Sequence, residues 1–132
     1  MAADALEAGI VGLDRDRLTP FYVDAVGFIL DAELDYPQGV VHRLSRGPAR
    51  MKIFYPSPPA HPRAPTERWH DEAGFRYAAL YLSTSTDVHE LAERVARHGG
   101  RIVTPATEYG AAKTIALVAD PEDNVLELIW ER

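Results

Sequence analysis

The chain has 132 residues, a net charge of −6 and no cysteine. That length makes one domain, able to bury roughly two-thirds of its extended surface. The charge disfavours nucleic acid and anionic membranes, and the missing thiols exclude disulfides, thiolate metal sites and cysteine nucleophiles. In chain order, a strand is expected over Leu6 to Leu13, followed by a short helix ending near Gly27. Thr19-Pro20 supplies a helix cap and a first-turn proline, with Asp14 an earlier alternative start; Gly27 suits the C-terminal cap. Strands follow over Phe28–Glu33, Val40–Leu44 and Met51–Tyr55. The proline-rich run from Pro56 to Pro65 reads as an extended connector. A second series opens with a strand over Phe75–Leu82 and a helix from Asp87 to His98. Asp87 with Glu90 marks the start of that helix, Val88, Leu91, Ala92 and Val95 make its apolar stripe, and Gly99-Gly100 ends it. Strands over Arg101–Thr104, Thr114–Ala119 and Val125–Trp130 complete the series.

Each half thus reads strand, helix, strand, strand, strand, with module one at 1–56, the connector at 57–73 and module two at 74–132. The start, Met1 to Glu7, is neither basic nor apolar enough for a secretion signal, and no apolar run approaches the roughly 20 residues of a membrane helix. A cytoplasmic protein without membrane contact is expected. The end is the most telling stretch: Asp120-Pro121-Glu122-Asp123-Asn124 forms a tight turn, and Glu127 follows amid apolar neighbours. A carboxylate there points to solvent or serves a site.

Four segments together resemble the vicinal oxygen chelate superfamily, the glyoxalase, bleomycin-resistance and dioxygenase group. They are Asp14…Phe21-Tyr22…Gly27-Phe28, Gly74-Phe75-Arg76-Tyr77, the second helix with Gly99-Gly100, and Asp120-Pro121…Asn124…Glu127-Leu128. Asp123 departs from the family's usual glycine, and about three extra residues near Ser83-Thr84-Ser85 precede the second helix. The resemblance implies an α+β fold of two βαβββ modules whose mixed sheet curls around a cupped cavity, within a homodimer. It also implies a small-molecule ligand and a divalent metal held from the first and last strands of each module. Mapped onto this chain, those positions are Glu7, Lys52, Tyr77 and Glu127. Counting back from the second helix gives Leu80 for the third position; strand alternation favours Tyr77, since Ala78, Leu80 and Leu82 make the apolar set.

These four side chains suit a metal poorly. An ammonium has no lone pair, and a phenol near its reference pKa of about 10 is protonated. Glu7 and Glu127 alone would leave a hard cation mostly hydrated, and Lys52 competes for the same charge. The cofactor is therefore either absent or a divalent metal on Glu7 and Glu127. In one reading Glu7 or Glu127 is a general base, Lys52 steadies an oxyanion and Tyr77 donates a hydrogen bond, giving lyase, isomerase or epimerase chemistry beside a carbonyl. In the other, the ion pair fills a cavity that binds a small molecule or antibiotic without turnover. A dioxygenase is least favoured, because its iron triad needs two histidines. Phe54, Tyr81, Tyr109 and His42 are candidate ligand contacts, with His42 otherwise a satisfied core or surface histidine; Trp69 either lids the cavity or anchors the connector; Arg76 either meets an acidic ligand group or lies at the surface.

Overall fold

The computed structural model describes residues 3–132. Its elements are β1 (Ala8–Val11), α1 (Arg15–Phe21) running on into a π turn (Tyr22–Val26), β2 (Ile29–Tyr36), β3 (Gly39–Arg46) and β4 (Ala49–Pro56). After the connector come β5 (Tyr77–Tyr81), α2 (Ser85–Arg97), β6 (Arg101–Glu108), β7 (Lys113–Ala119) and β8 (Val125–Glu131). They form two separate four-stranded sheets, ordered β1-β4-β3-β2 and β5-β8-β7-β6. In each, the first strand lies parallel to the last and the other pairings are antiparallel.

Strand alternation sets the two faces of each sheet. Met51, Ile53 and Tyr55 of β4 are buried while Arg50 and Lys52 between them are exposed; in β5, Leu80 is buried between exposed Ala79 and Tyr81. The buried sets of both sheets meet Leu18, Phe21, Tyr22 and Val26 from the first helical segment and Val88, Leu91 and Val95 from α2 in one core. Each sheet therefore covers one face with helix and leaves the other open.

The helix starts differ from the sequence expectation. Asp14 caps α1, its carboxylate accepting from the Asp16 amide at 3.0 Å, so Thr19 and Pro20 lie inside the helix. Thr19 is buried and its hydroxyl serves the core instead. Pro20 cannot donate to an intrahelical bond, and the backbone just beyond it winds into the wider π turn before Gly27 closes it at φ 90°. Likewise α2 starts two residues before Asp87. Thr84 accepts from the Asp87 amide at 3.0 Å, so the residues expected as an insertion form the cap and first turn. β1 and β5 are shorter than expected, leaving Leu6 and Phe75 in solvent.

The turn from Asp120 to Asn124 binds the two halves together. Asp120 is 4% exposed and accepts from the Glu122 and Asn124 amides, the Asn124 side chain and, at 2.7 Å, the Tyr22 hydroxyl of the other half. Asp123 takes φ 65°, the conformation for which the family prefers glycine and which Asp tolerates. Glu122 reaches the Leu13 and Asp14 amides at 2.8 and 2.9 Å, where the first strand turns into α1.

Candidate functional site

The open face of the first sheet is cationic. β3 turns His42 and Leu44 inward and Val41, Arg43 and Ser45 outward, and Arg43 pairs across the sheet with Lys52. Glu7, just before β1, lies between these cations: Lys52 Nζ and Arg43 Nη2 are each 3.8 Å from its carboxylate oxygens. Phe54 shares this face, half-buried. The Glu7–Lys52 pair anticipated from sequence is thus present; Arg43 was missed, although its place opposite His42 and Leu44 in the alternation marks it.

The open face of the second sheet carries Tyr77, Ala79 and Tyr81 on β5 and Glu127 on β8, with Glu127 directly beside Ala79 and opposite Leu117. Tyr77 and Tyr81 are 55% and 61% exposed. Trp69 of the connector packs edge-on against Tyr77, with ring centroids 5.4 Å apart. Among the described residues, Glu127 has no cation within 4.0 Å. Within one chain, then, Glu7 and Lys52 are brought together while Tyr77 and Glu127 stand on the other sheet. No group of three or more His, Asp or Glu side chains converges as metal donors among the described residues.

His42 lies on the helix side of its sheet, 4% exposed. Its Nδ1 and the Tyr55 hydroxyl each lie 2.7 Å from the Thr19 hydroxyl, and its ring packs edge-on against Tyr55 at 5.1 Å. It is a hydrogen-bonded core histidine, turned away from the open face where a ligand contact was anticipated. Burial lowers its pKa, against a smaller opposing pull from Glu33, whose carboxylate lies 3.5 Å from Nε2. Burial also pushes the Tyr55 phenol up to about 12, and the Tyr22 phenol beside Asp120 well above its ordinary value. Tyr109 sits just past β6, 56% exposed, its amide bonded to the Lys113 carbonyl at 2.8 Å.

The sequence matches the family model of the Glyoxalase/Bleomycin resistance protein/Dioxygenase superfamily over residues 7–128. The chain belongs to that superfamily. No curated protein matches it. Among solved structures it is similar to a glyoxylase/bleomycin resistance protein/dioxygenase domain from Frankia sp. EAN1pec, with TM-score 0.81 and 15% identity over 100% of both chains. It is also similar to a glyoxalase-related enzyme from Fulvimarina pelagi, with TM-score 0.70 and 18% identity over 98% of this chain and 89% of that one. Glyoxalase I from Zea mays gives TM-score 0.74 and 25% identity; the match takes in 96% of this chain and 44% of the maize chain. These likenesses establish the glyoxalase-like fold. No helix among the described residues is long and apolar enough to cross a membrane.

Proposed function

We propose that this protein is a homodimeric, metal-independent glyoxalase-like enzyme that moves a proton beside the carbonyl of a small organic molecule. The observation carrying this reading is the Glu7 carboxylate flanked by Lys52 and Arg43 at 3.8 Å, at a position where the family resemblance expects a metal ligand. Two cations beside one carboxylate leave little electrostatic reason for a third, and Lys52 and Tyr77 offer no neutral or anionic lone pair at neutral pH. The four residues do not fit a divalent ion.

Among the described residues Glu127 has no cation within 4.0 Å, so its lone pairs are free to take a proton. Lys52 and Arg43 provide fixed positive charge for the oxygen of an enolate, the role a metal plays elsewhere, and Tyr77 can donate a hydrogen bond to it. Return of the proton to the opposite face of the same carbon gives the epimer; return to the neighbouring carbon, with the hydroxyl proton passing to the former carbonyl oxygen, gives the isomer. Because Glu127 and Lys52 lie on the open faces of different sheets, a complete site needs the first sheet of one copy over the second sheet of another. Two features favour that pairing. Ile29, Val11, Tyr77 and Tyr81 are more than half exposed, and the cationic first face complements Glu127 on the second.

The test is deuterium uptake beside the carbonyl of hydroxyacetone, pyruvate and small hemithioacetals, followed by proton NMR. Lys52→Met and Glu127→Gln are each expected to reduce uptake by at least about 100-fold. If the site is shared, mixing the two inactive variants restores roughly a quarter of the wild-type rate, since half the dimers are mixed and each holds one intact site. No recovery with dimers exchanging freely would place the site within one chain. The Glu7 cluster also suits a second reading, a non-catalytic small-molecule or antibiotic-binding protein, because Lys52 and Arg43 are both already paired with a carboxylate. Stoichiometric ligand binding with the ligand recovered unchanged and no deuterium uptake would establish it.

A further inference from the structure

A cavity of about 780 Å³ lies between the connector, the corner before α1 and the end of the second sheet where β6 and β8 begin. None of Glu7, Lys52, Tyr77 and Glu127 lines it. Five arginines do: Arg17, Arg63, Arg68, Arg76 and Arg101. Two are committed to carboxylates, Arg68 to Asp71 at 2.7 Å and Arg101 to Asp123 at 3.2 Å. Arg17, Arg63 and Arg76 have no carboxylate within 4.0 Å among the described residues; Arg63 donates to the Asp123 carbonyl at 3.0 Å and more weakly, at 3.4 Å, to the Asn124 side chain. Arg76 Nε is shielded from solvent and has no hydrogen-bond acceptor.

A buried guanidinium N–H without an acceptor is uncommon, because the donor has given up water without compensation. Arg76 is therefore poised for an acceptor that enters the cavity. A guanidinium fork matches the two oxygens of a carboxylate. The lining also contains Trp69, Val103 and Val125, which offer an apolar wall. The remaining carboxylates limit how much negative charge can enter. Glu122 is turned onto the Leu13 and Asp14 amides, but Glu67 and Glu72 stand exposed at the rim and repel a multiply charged anion.

We propose that this cavity binds a small organic monocarboxylate, its carboxylate held by Arg76 with Arg17 or Arg63 and its apolar body against Trp69 and Val125. The cavity adjoins the second open face, since Trp69 packs on Tyr77, but it shares no lining residue with the proton-transfer site, so Lys52→Met probes one and Arg76→Gln the other.

The experiment is isothermal titration of the full chain with 1-naphthoate, its neutral counterpart 1-naphthamide, and inorganic phosphate. Naphthoate should bind saturably at one per chain, naphthamide at least about tenfold more weakly. Arg76→Gln should weaken naphthoate binding by at least about tenfold with an unchanged melting temperature, while Lys52→Met leaves it unaltered. If Arg76→Gln fails to fold, the double variant Arg17→Gln/Arg63→Gln, both at exposed positions, is expected to show the same selective loss. Equal binding of naphthoate and its amide, or no saturation by about 5 mM, overturns the proposal. So does naphthoate binding that Lys52→Met abolishes and neither arginine variant changes. Phosphate displacing naphthoate at equal concentration overturns the assignment to a monocarboxylate.

Discussion

The two halves share one plan and fill its interior by different chemistry. In the second half, α2 is thirteen residues long and lays Val88, Leu91, Ala92 and Val95 on its sheet, an uninterrupted apolar stripe. In the first, the helical segment carries Thr19 and Pro20 in its middle, widens into a π turn and packs a hydroxyl, an imidazole and a phenol between helix and sheet. The closing turns differ as well. The first half turns from β3 to β4 through Gly47 without a side-chain hydrogen bond among the described residues, whereas the corresponding turn of the second, Asp120–Asn124, reaches across to Tyr22, Leu13 and Asp14. A repeated fold can thus keep its strand order while loading more buried polar groups into one half; the second half keeps a smaller pair, Ser85 of α2 and Thr114 of β7, with hydroxyl oxygens 2.6 Å apart. The first half then depends on groups that titrate and on partners supplied by the second.

Substitutions separate these contributions. Asp120→Ala removes an acceptor used by four donors and strands the Tyr22 hydroxyl in the core, so we expect a loss of about 3 kcal/mol in urea unfolding. A loss below about 1 kcal/mol would mean that the turn and Tyr22 relax independently, and that the halves are not joined there. Thr19→Val keeps the side-chain shape and deletes the hydroxyl between His42 and Tyr55; about 1–2 kcal/mol is expected. Thr84→Ala, which takes away only the cap of α2, should cost about 1 kcal/mol or less, because the apolar stripe of that helix is untouched.

The pH dependence sharpens the same contrast. His42 has a folded pKa below its unfolded value, so the unfolded chain binds the proton more readily. Its contribution is complete above an unfolded pKa of about 6.5 and is lost as pH falls below that value toward the folded one. Tyr55 acts at the other end. With its folded pKa at about 12, its contribution holds below an unfolded value of about 10 and disappears as pH rises between the two. Urea midpoints should therefore drop between about pH 7 and pH 5, and His42→Asn should flatten that slope even though it lowers overall stability. An equal slope in the variant would assign the acid sensitivity to other groups.

Much of this arrangement is legible in the sequence because strands repeat every two residues. Alternation alone put Tyr77 and Tyr81 outward and Leu80 inward, and the same count separates Glu127 from Leu128. Glu7 and Lys52 were placed together by the family resemblance, and the parallel pairing of β1 on β4, with Gly9 opposite Lys52, is what brings them to 3.8 Å. The helix starts were harder. Asp14 and Thr19 are both good capping residues, and Thr19-Pro20 carries the stronger local signal; burial of the Thr19 hydroxyl against β3 and β4 decides between them. His42 stayed open between a ligand contact and a satisfied core or surface histidine, because the hydrogen-bond partners that decide for the core lie far along the chain. Nor does local pattern reveal that Glu127 and Lys52 occupy different sheets, because that depends on how the halves pack.

The Glu122 contact has a consequence for the order of events during synthesis. Its carboxylate satisfies amides 108 and 109 positions earlier, at the corner where β1 leads into α1. A nascent chain that has emerged only through Ala119 holds every strand and helix of the first half, yet lacks the acceptors for that corner and for the Tyr22 hydroxyl. Until residues 120–124 have emerged, the first half therefore lacks these partners, and a later segment completes an earlier one.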